Sequence, residues 1–302
     1  EGRYFKTTES KRHSLCDLLN RYKLDILEQH PKKKRDQSRH IDWWKDLLGE
    51  YCLADITPQL ISEYRDKLSK GITPKGTCRS PATVNRYLAA LSHAFTIAVN
   101  DWGWVENNPV IKVRKLKEPR GRVRFLLDDE RTNLLTACEK HSHQLYTIVA
   151  LALSTGARQG EILNLTWDNV DLTRCMIILE HTKNNERRAI PLQGHALELI
   201  KDMSKIRRID TRLLFPSRTN SNKPLNIQKI WEAAVKRAEI DDFRFHDLRH
   251  SAASYLAMNG ATIVEIADIL GHKTLQMVKR YSHLTEQHTS EVVAKMNRQI
   301  FE

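Results

Sequence analysis

The chain has 302 residues, 40% of them hydrophobic and 28% charged, enough to bury real cores and, by length, to form two domains. It holds no apolar run of about eighteen residues that could span a membrane, and its first residues lack the charged-then-apolar pattern of a secretory signal. Lys and Arg total 49 against 37 Asp and Glu, a net charge of +12, which favours a polyanionic partner, most simply nucleic acid.

In chain order, Leu15, Leu18, Leu19, Tyr22 and Ile26 recur at helical spacing. The run Pro31-Lys32-Lys33-Lys34-Arg35 reads as a basic break, after which Ile41, Trp43, Trp44, Leu47 and Leu48 resume an apolar face. Thr57-Pro58 reads as a cap and first-turn proline opening a helix through Leu68. Ser80-Pro81 repeats that signal for a helix with Val84, Leu88, Leu91, Phe95 and Ala98 on one face. Its first turns leave Thr83, Asn85 and Arg86 more exposed, as a groove-reading helix would. An all-helical first domain over residues 1–106 follows. Asn108-Pro109 then breaks the pattern. Lys112, Arg114, Lys115, Lys117, Arg120, Arg122 and Arg124, opposed only by Glu118, read as a basic interdomain linker over residues 107–124 that lies across a phosphate backbone.

The second domain spans residues 125–302. Leu126 to Lys140, Gln144 to Ser154 and Gln159 to Leu165 read as helices, and Thr155-Gly156-Ala157-Arg158 ends the second of them. Cys175–Leu179 and Arg188–Leu192 read as strands joined by a turn at Asn184-Asn185-Glu186. Helices are expected at His195–Ile206, Asn226–Ala238, His246–Asn259, Thr262–Leu270 and Thr274–Tyr281. An amphipathic tail bears Val292, Val293, Met296 and Ile300. The expected fold is mainly α (α+β): a helical N-terminal domain, then a mostly helical second domain with a small antiparallel β-sheet. The five cysteines form no CxxC pair and their count is odd, which fits a reducing cytosol rather than a disulfide framework.

The chemistry is narrowed by elimination. His246 and His250 stand four apart, but Arg249 beside them opposes a metal, so no metal is expected. GxxxxGK[ST], GxGxxG and GxSxG are all missing, so no nucleotide cofactor and no serine-hydrolase chemistry is expected. What remains is a set of cations and one tyrosine. In order these are Arg158 within Thr155-Gly156-Ala157-Arg158-Gln159-Gly160-Glu161, Lys183 in the hairpin turn, His246 and Arg249 as HxxR, His272 after Leu270-Gly271, and Tyr281 nine positions later. Each alone is weak: a lone Arg is usually a surface charge, and a Tyr at a helix end is usually packing.

The ordered set resembles the tyrosine recombinase family, also called phage integrases, from about Ser10 to the C-terminus, with no departure at the catalytic positions. Exchange of a phosphodiester passes through pentavalent phosphorus with extra negative charge on its oxygens. Arg158 and Arg249 can present planar forks of donors to the non-bridging oxygens. Tyr281, with an ordinary pKa of about 10, needs a base to act as nucleophile, and His246 is the candidate. Lys183 is the candidate acid for the leaving deoxyribose oxygen, His272 a donor to a non-bridging oxygen, and Glu161 an orienting partner for a neighbouring side chain. The resemblance implies a covalent 3′-phosphotyrosine at Tyr281, release of a 5′ hydroxyl, and no cofactor. It implies double-stranded DNA as partner, gripped by a clamp of two domains. It further implies a homotetramer on paired sites and, for phage or mobile-element integrases, accessory DNA-bending proteins. Thr83, Arg86, Lys112, Arg114, Lys115 and Arg244 are the candidate DNA contacts. Glu1-Gly2-Arg3-Tyr4-Phe5 reads as the tail of a preceding element, where integrases often carry an arm-binding domain. A chromosome-dimer resolvase, a type IB topoisomerase or telomere resolvase, and a catalytically idle DNA-binding regulator are the alternatives.

Overall fold

The computed structural model describes residues 9–74, 76–119, 121–180, 187–272 and 274–301, and at 32, 33 and 283–292 the backbone alone. Its contacts divide the chain into two units, Glu1–Gly121 and Arg122–Glu302.

In the first unit, helix α1 (Leu15–Tyr22) begins at a capping box. The Asp17 N–H donates to Ser14 Oγ at 3.1 Å, and the Ser14 N–H donates back to the Asp17 carboxylate at 2.9 Å. Helix α2 spans Pro31–Leu48, so the basic run at Pro31–Arg35 opens a helix rather than breaking one. Proline is pre-organised for a first helical position, and Lys and Arg are good helix formers. Helix α3 (Pro58–Lys70) is capped by Thr57 and helix α4 (Pro81–Asn100) by Ser80. Leu15, Tyr22, Ile41, Trp44, Leu91 and Phe95 are fully buried in one core. Burying each of the leucine, isoleucine and phenylalanine side chains contributes about 1.5–3 kcal/mol.

Asn85 is not exposed: only 7% of its surface is open. Its amide donates to the Leu116 carbonyl and its oxygen accepts from the Leu116 N–H, both at 2.9 Å. The 3-10 turn Pro109–Lys112 carries Val110 into the same core, and Val113 follows it. The basic stretch is therefore tied to the first unit as far as Leu116.

The second unit opens with Arg122, paired with Asp247 at 3.0 Å and with Asp242, and with Arg124, paired with Glu130. Helices α5 (Asp128–His141), α6 (His143–Thr155) and the short α7 (Gln159–Leu163) come next. Strands β1 (Val170–Asp171), β2 (Met176–Leu179) and β3 (Arg188–Pro191) form an antiparallel sheet in that order, with Ile177 opposite both Val170 and Ile190. Strand β1 is too short to show an alternation in sequence. Helices α8 (Gly194–Lys205), α9 (Gln228–Arg237), α10 (Asp247–Met258), α11 (Ile263–Leu270) and α12 (Glu286–Phe301) complete the unit. The stretch expected as one helix over Thr274–Tyr281 is instead two 3-10 turns, Leu275–Met277 and Lys279–Thr285. The main core gathers Ile148, Leu151, Phe215 and Leu248. A smaller one packs Ala253, Ala257, Ile266, Leu270, Val278 and Tyr281 beneath the site. Among the described residues, no helix is long and apolar enough to cross a membrane.

Candidate active site

Two glycines shape the site. Gly156 ends α6 in the left-handed conformation at φ +59°, and a Cβ there would fall 2.2 Å from Leu270 Cδ2. Gly271 ends α11 at φ +65°, where a Cβ would fall 2.8 Å from Arg188 Cδ. Left-handed backbone favours glycine, and both positions also need its missing side chain. Arg158 therefore follows one tight turn and His272 follows another.

Arg249, on α10 and 4% exposed, joins the two turns. Its Nη1 donates to the Gly156 carbonyl and its Nη2 to the Leu270 carbonyl, each at 2.6 Å. Two of its five N–H donors are thus engaged in holding the loops that carry Arg158 and His272. Glu161 on α7 accepts from the Arg158 N–H at 2.9 Å and from Arg158 Nη1 at 2.7 Å, so it orients that arginine. It also faces Arg188 at 3.4 Å. Burial pushes the Glu161 carboxyl up, but the Arg158 hydrogen bonds and the charges of Arg158 and Arg188 outweigh it and hold its pKa low.

Arg188 at the start of β3 is buried and also donates to the Ile269 carbonyl, while its Nε has no partner. Burial lowers the Arg188 and Arg249 guanidinium pKa values to about 10, with the mutual repulsion of the arginines adding to it. His272 is pulled down to about 4 by burial and then by Arg249 and Arg158, and its buried Nδ1 has no partner. His246, exposed beside these cations, is also lowered, chiefly by desolvation and then by Arg249. The cluster is a cationic, proton-poor cradle suited to an anion.

Tyr281 is 2% exposed, and burial raises its pKa against the pull of Arg280 and Arg249. Its hydroxyl meets His250 Nδ1 at 2.5 Å. The His246 ring lies 5.2 Å from the His250 ring in an edge arrangement. The imidazole in contact with the tyrosine is therefore His250, not His246. Sequence reasoning weighed His250 only as half of a metal pair. Its place one turn along α10 from His246 was the available signal. Arg188 was read only as a strand residue. Lys183 lies outside the described residues. No metal-binding group of His, Cys, Asp or Glu occurs among the described residues.

The model of the phage integrase family matches residues 124–288, and that of the phage integrase N-terminal domain matches residues 11–117. The chain belongs to the phage integrase family. The shufflon-specific DNA recombinase of Escherichia coli is 36% identical to this integrase-family chain over 285 residues, covering 91% of the chain and 70% of that protein. The integrase of Salmonella phage P22 is 29% identical over 296 residues, covering 87% and 74%. The Tn1549 transposon integrase in complex with transposon right end DNA superposes with a TM-score of 0.76 at 18% identity, over 93% of this chain and 99% of that one. At that identity the likeness speaks for the fold.

Of the candidate DNA contacts in this integrase-family chain, Arg86, Lys112, Arg114, Lys115 and Arg244 are exposed and Thr83 is half-buried. Arg122 and Arg124 of the basic stretch are committed to carboxylates of their own unit. Helix α2 adds a further basic surface: Lys34, Arg35 and Arg39 line a cleft of about 780 Å³ in the first unit with Arg79, and Asp42 and Asp46 lie in the same cleft.

Proposed function

We propose that the chain is a site-specific DNA recombinase that breaks and rejoins strands through Tyr281, and that it integrates or excises a phage or mobile element. The observation that carries this reading is the convergence of Arg158, Arg249, His246 and His272 with a buried tyrosine. Tyr281 Oη attacks the scissile phosphorus and loses its proton to His246, acting as the base. The bond from phosphorus to O5′ breaks, and Lys183 protonates the leaving oxygen. The 3′-phosphotyrosine keeps the phosphodiester energy, and a 5′ hydroxyl from a partner duplex reverses the step. The arginine forks and His272 stabilise the charge that grows on the non-bridging oxygens, a contribution of about 10²–10³ in rate for one such donor. Glu161 holds Arg158 ready for that task.

Duplex DNA is the partner; the Tn1549 integrase is likewise in complex with DNA, that of its transposon right end. The exposed arginines and lysines of α2, α4 and the stretch after it supply phosphate contacts, with Arg244 on the second unit. These position the protein, and base contacts made by α4 specify the site. A homotetramer on paired sites, with DNA-bending accessory proteins, is the assembly this reading requires. Exposed Val293, Met296 and Ile300 on α12 supply an apolar stripe for contact between copies. The test is covalent capture from a library of nicked genomic fragments. The reading expects adducts concentrated at paired inverted repeats. Adducts with no shared sequence indicate a topoisomerase-like activity, and binding without any adduct indicates an idle regulator.

A further inference from the structure

His250 lies in the active site but has no part in the proposed mechanism. It stands one turn after His246 on α10, so both imidazoles lie along one face of the helix. Its Nδ1 is 2.5 Å from the hydroxyl of Tyr281. Tyr281 is itself carried on the 3-10 turn Lys279–Thr285 and packed on Ala253, Ala257 and Val278. The ring is thus held among apolar side chains, and among the described residues it is His250 that meets its oxygen. We propose that His250 is the positioning residue for the nucleophile: its Nδ1 accepts the Tyr281 hydroxyl and fixes the direction of the oxygen that attacks phosphorus.

The geometry sets the tautomer. If Nδ1 accepts, the ring proton sits on Nε2. The charged and titratable groups around His250 are His246, Asp247, Arg249 and Arg280. Burial, then His246, lowers its pKa to about 4 against the pull of Asp247, which keeps the acceptor lone pair free at neutral pH. So weak a base is ill matched to removing the proton of a phenol whose own pKa burial raises, and the contact suits positioning instead.

The inference rests on the recombinase reading, and the test separates the two. Wild-type protein is mixed at saturating concentration with a nicked suicide duplex carrying the captured site, and the rate of adduct formation is followed. Lack of an adduct with wild type refutes the recombinase reading itself. Given a wild-type adduct, His250→Leu is expected to form it about 10- to 100-fold more slowly, the cost of a misplaced reacting group, with DNA affinity unchanged. His250→Asn, whose amide oxygen falls near the Nδ1 position, is expected to stay within about threefold of wild type. His250→Gln, whose oxygen reaches the Nε2 position, is expected to be as slow as His250→Leu. A packing role predicts the reverse order, with Leu better than Asn. That order, or equal rates for all three variants, overturns the proposal. Should a variant fold poorly, ¹⁵N spectra of the unsubstituted DNA-free protein decide instead. The Nε2–H tautomer, with an Nδ1 resonance that moves in Tyr281→Phe, supports the proposal. The Nδ1–H tautomer overturns it.

Discussion

Gly156→Ala tests how the two motif turns are built. The native φ of +59° lies in the left-handed region, which costs a residue with a Cβ about 1–2 kcal/mol. The added carbon would sit 2.2 Å from Leu270 Cδ2, whereas apolar carbons pack at about 3.5–4.0 Å. The leucine must yield by more than an ångström although it is fully buried. Overpacking of this kind costs about 1–3 kcal/mol, so the total is about 2–5 kcal/mol. The shift also disturbs the carbonyl that accepts from Arg249. Hydrogen exchange at the amides of α6 and α11 reads the local opening free energy directly. At 1.4 kcal/mol per tenfold, exchange there is expected to speed up about 30- to 4,000-fold. The companion Leu270→Ala alone costs about 2–5 kcal/mol through its cavity, but it removes the atom that Gly156→Ala strikes. The double variant should therefore be more stable than the sum of the singles by about 1 kcal/mol or more. A cost below about 1 kcal/mol for Gly156→Ala, or strict additivity, refutes this account.

Three other outcomes follow from the site. His250 and His272 titrate near 4 when folded but near 6.5 when unfolded, so between those values the unfolded chain binds more protons. Stability is then full above pH 6.5 and falls as pH drops toward 4; urea midpoints should decline over that window, and His272→Gln should flatten the decline. With about 6–10 phosphate contacts per protomer, DNA affinity should fall about 10³–10⁵-fold between 50 and 200 mM salt, and a flat gel-shift titration would contradict the basic surfaces argued above. Lys183→Ala should cleave an ordinary duplex slowly but recover on one whose 5′ oxygen is replaced by sulfur, because a thiolate leaves without a proton. Lack of rescue removes Lys183 as the acid.

The helices were legible where apolar spacing and caps agree, as at Ser80-Pro81 for α4. Pro31–Arg35 misled because a run of cations carries no apolar period, although proline followed by Lys and Arg is itself a helix start. Asn85 looked exposed because a sequence does not show that a buried amide pairs with the distant Leu116. The site is a different case. Arg158, His246, Arg249, His272 and Tyr281 could be picked out by order and local motif. The two glycines beside them are explained only in three dimensions, where Leu270 and Arg188 fill the space a side chain would take. The partners of His250 and Arg188, Tyr281 and Ile269, lie far along the chain, so only the spacing of His250 from His246 pointed to either.

The recombinase mechanism proposed above requires Tyr281 Oη to be the nucleophile that joins protein to DNA. Its most direct test is mass spectrometry of the trapped adduct after exhaustive nuclease and protease digestion. The account predicts one nucleotide-bearing peptide, modified at Tyr281 through a 3′ phosphate, and none from Tyr281→Phe although that variant still binds the site. A nucleotide found on another residue, or an adduct formed by Tyr281→Phe, would contradict it.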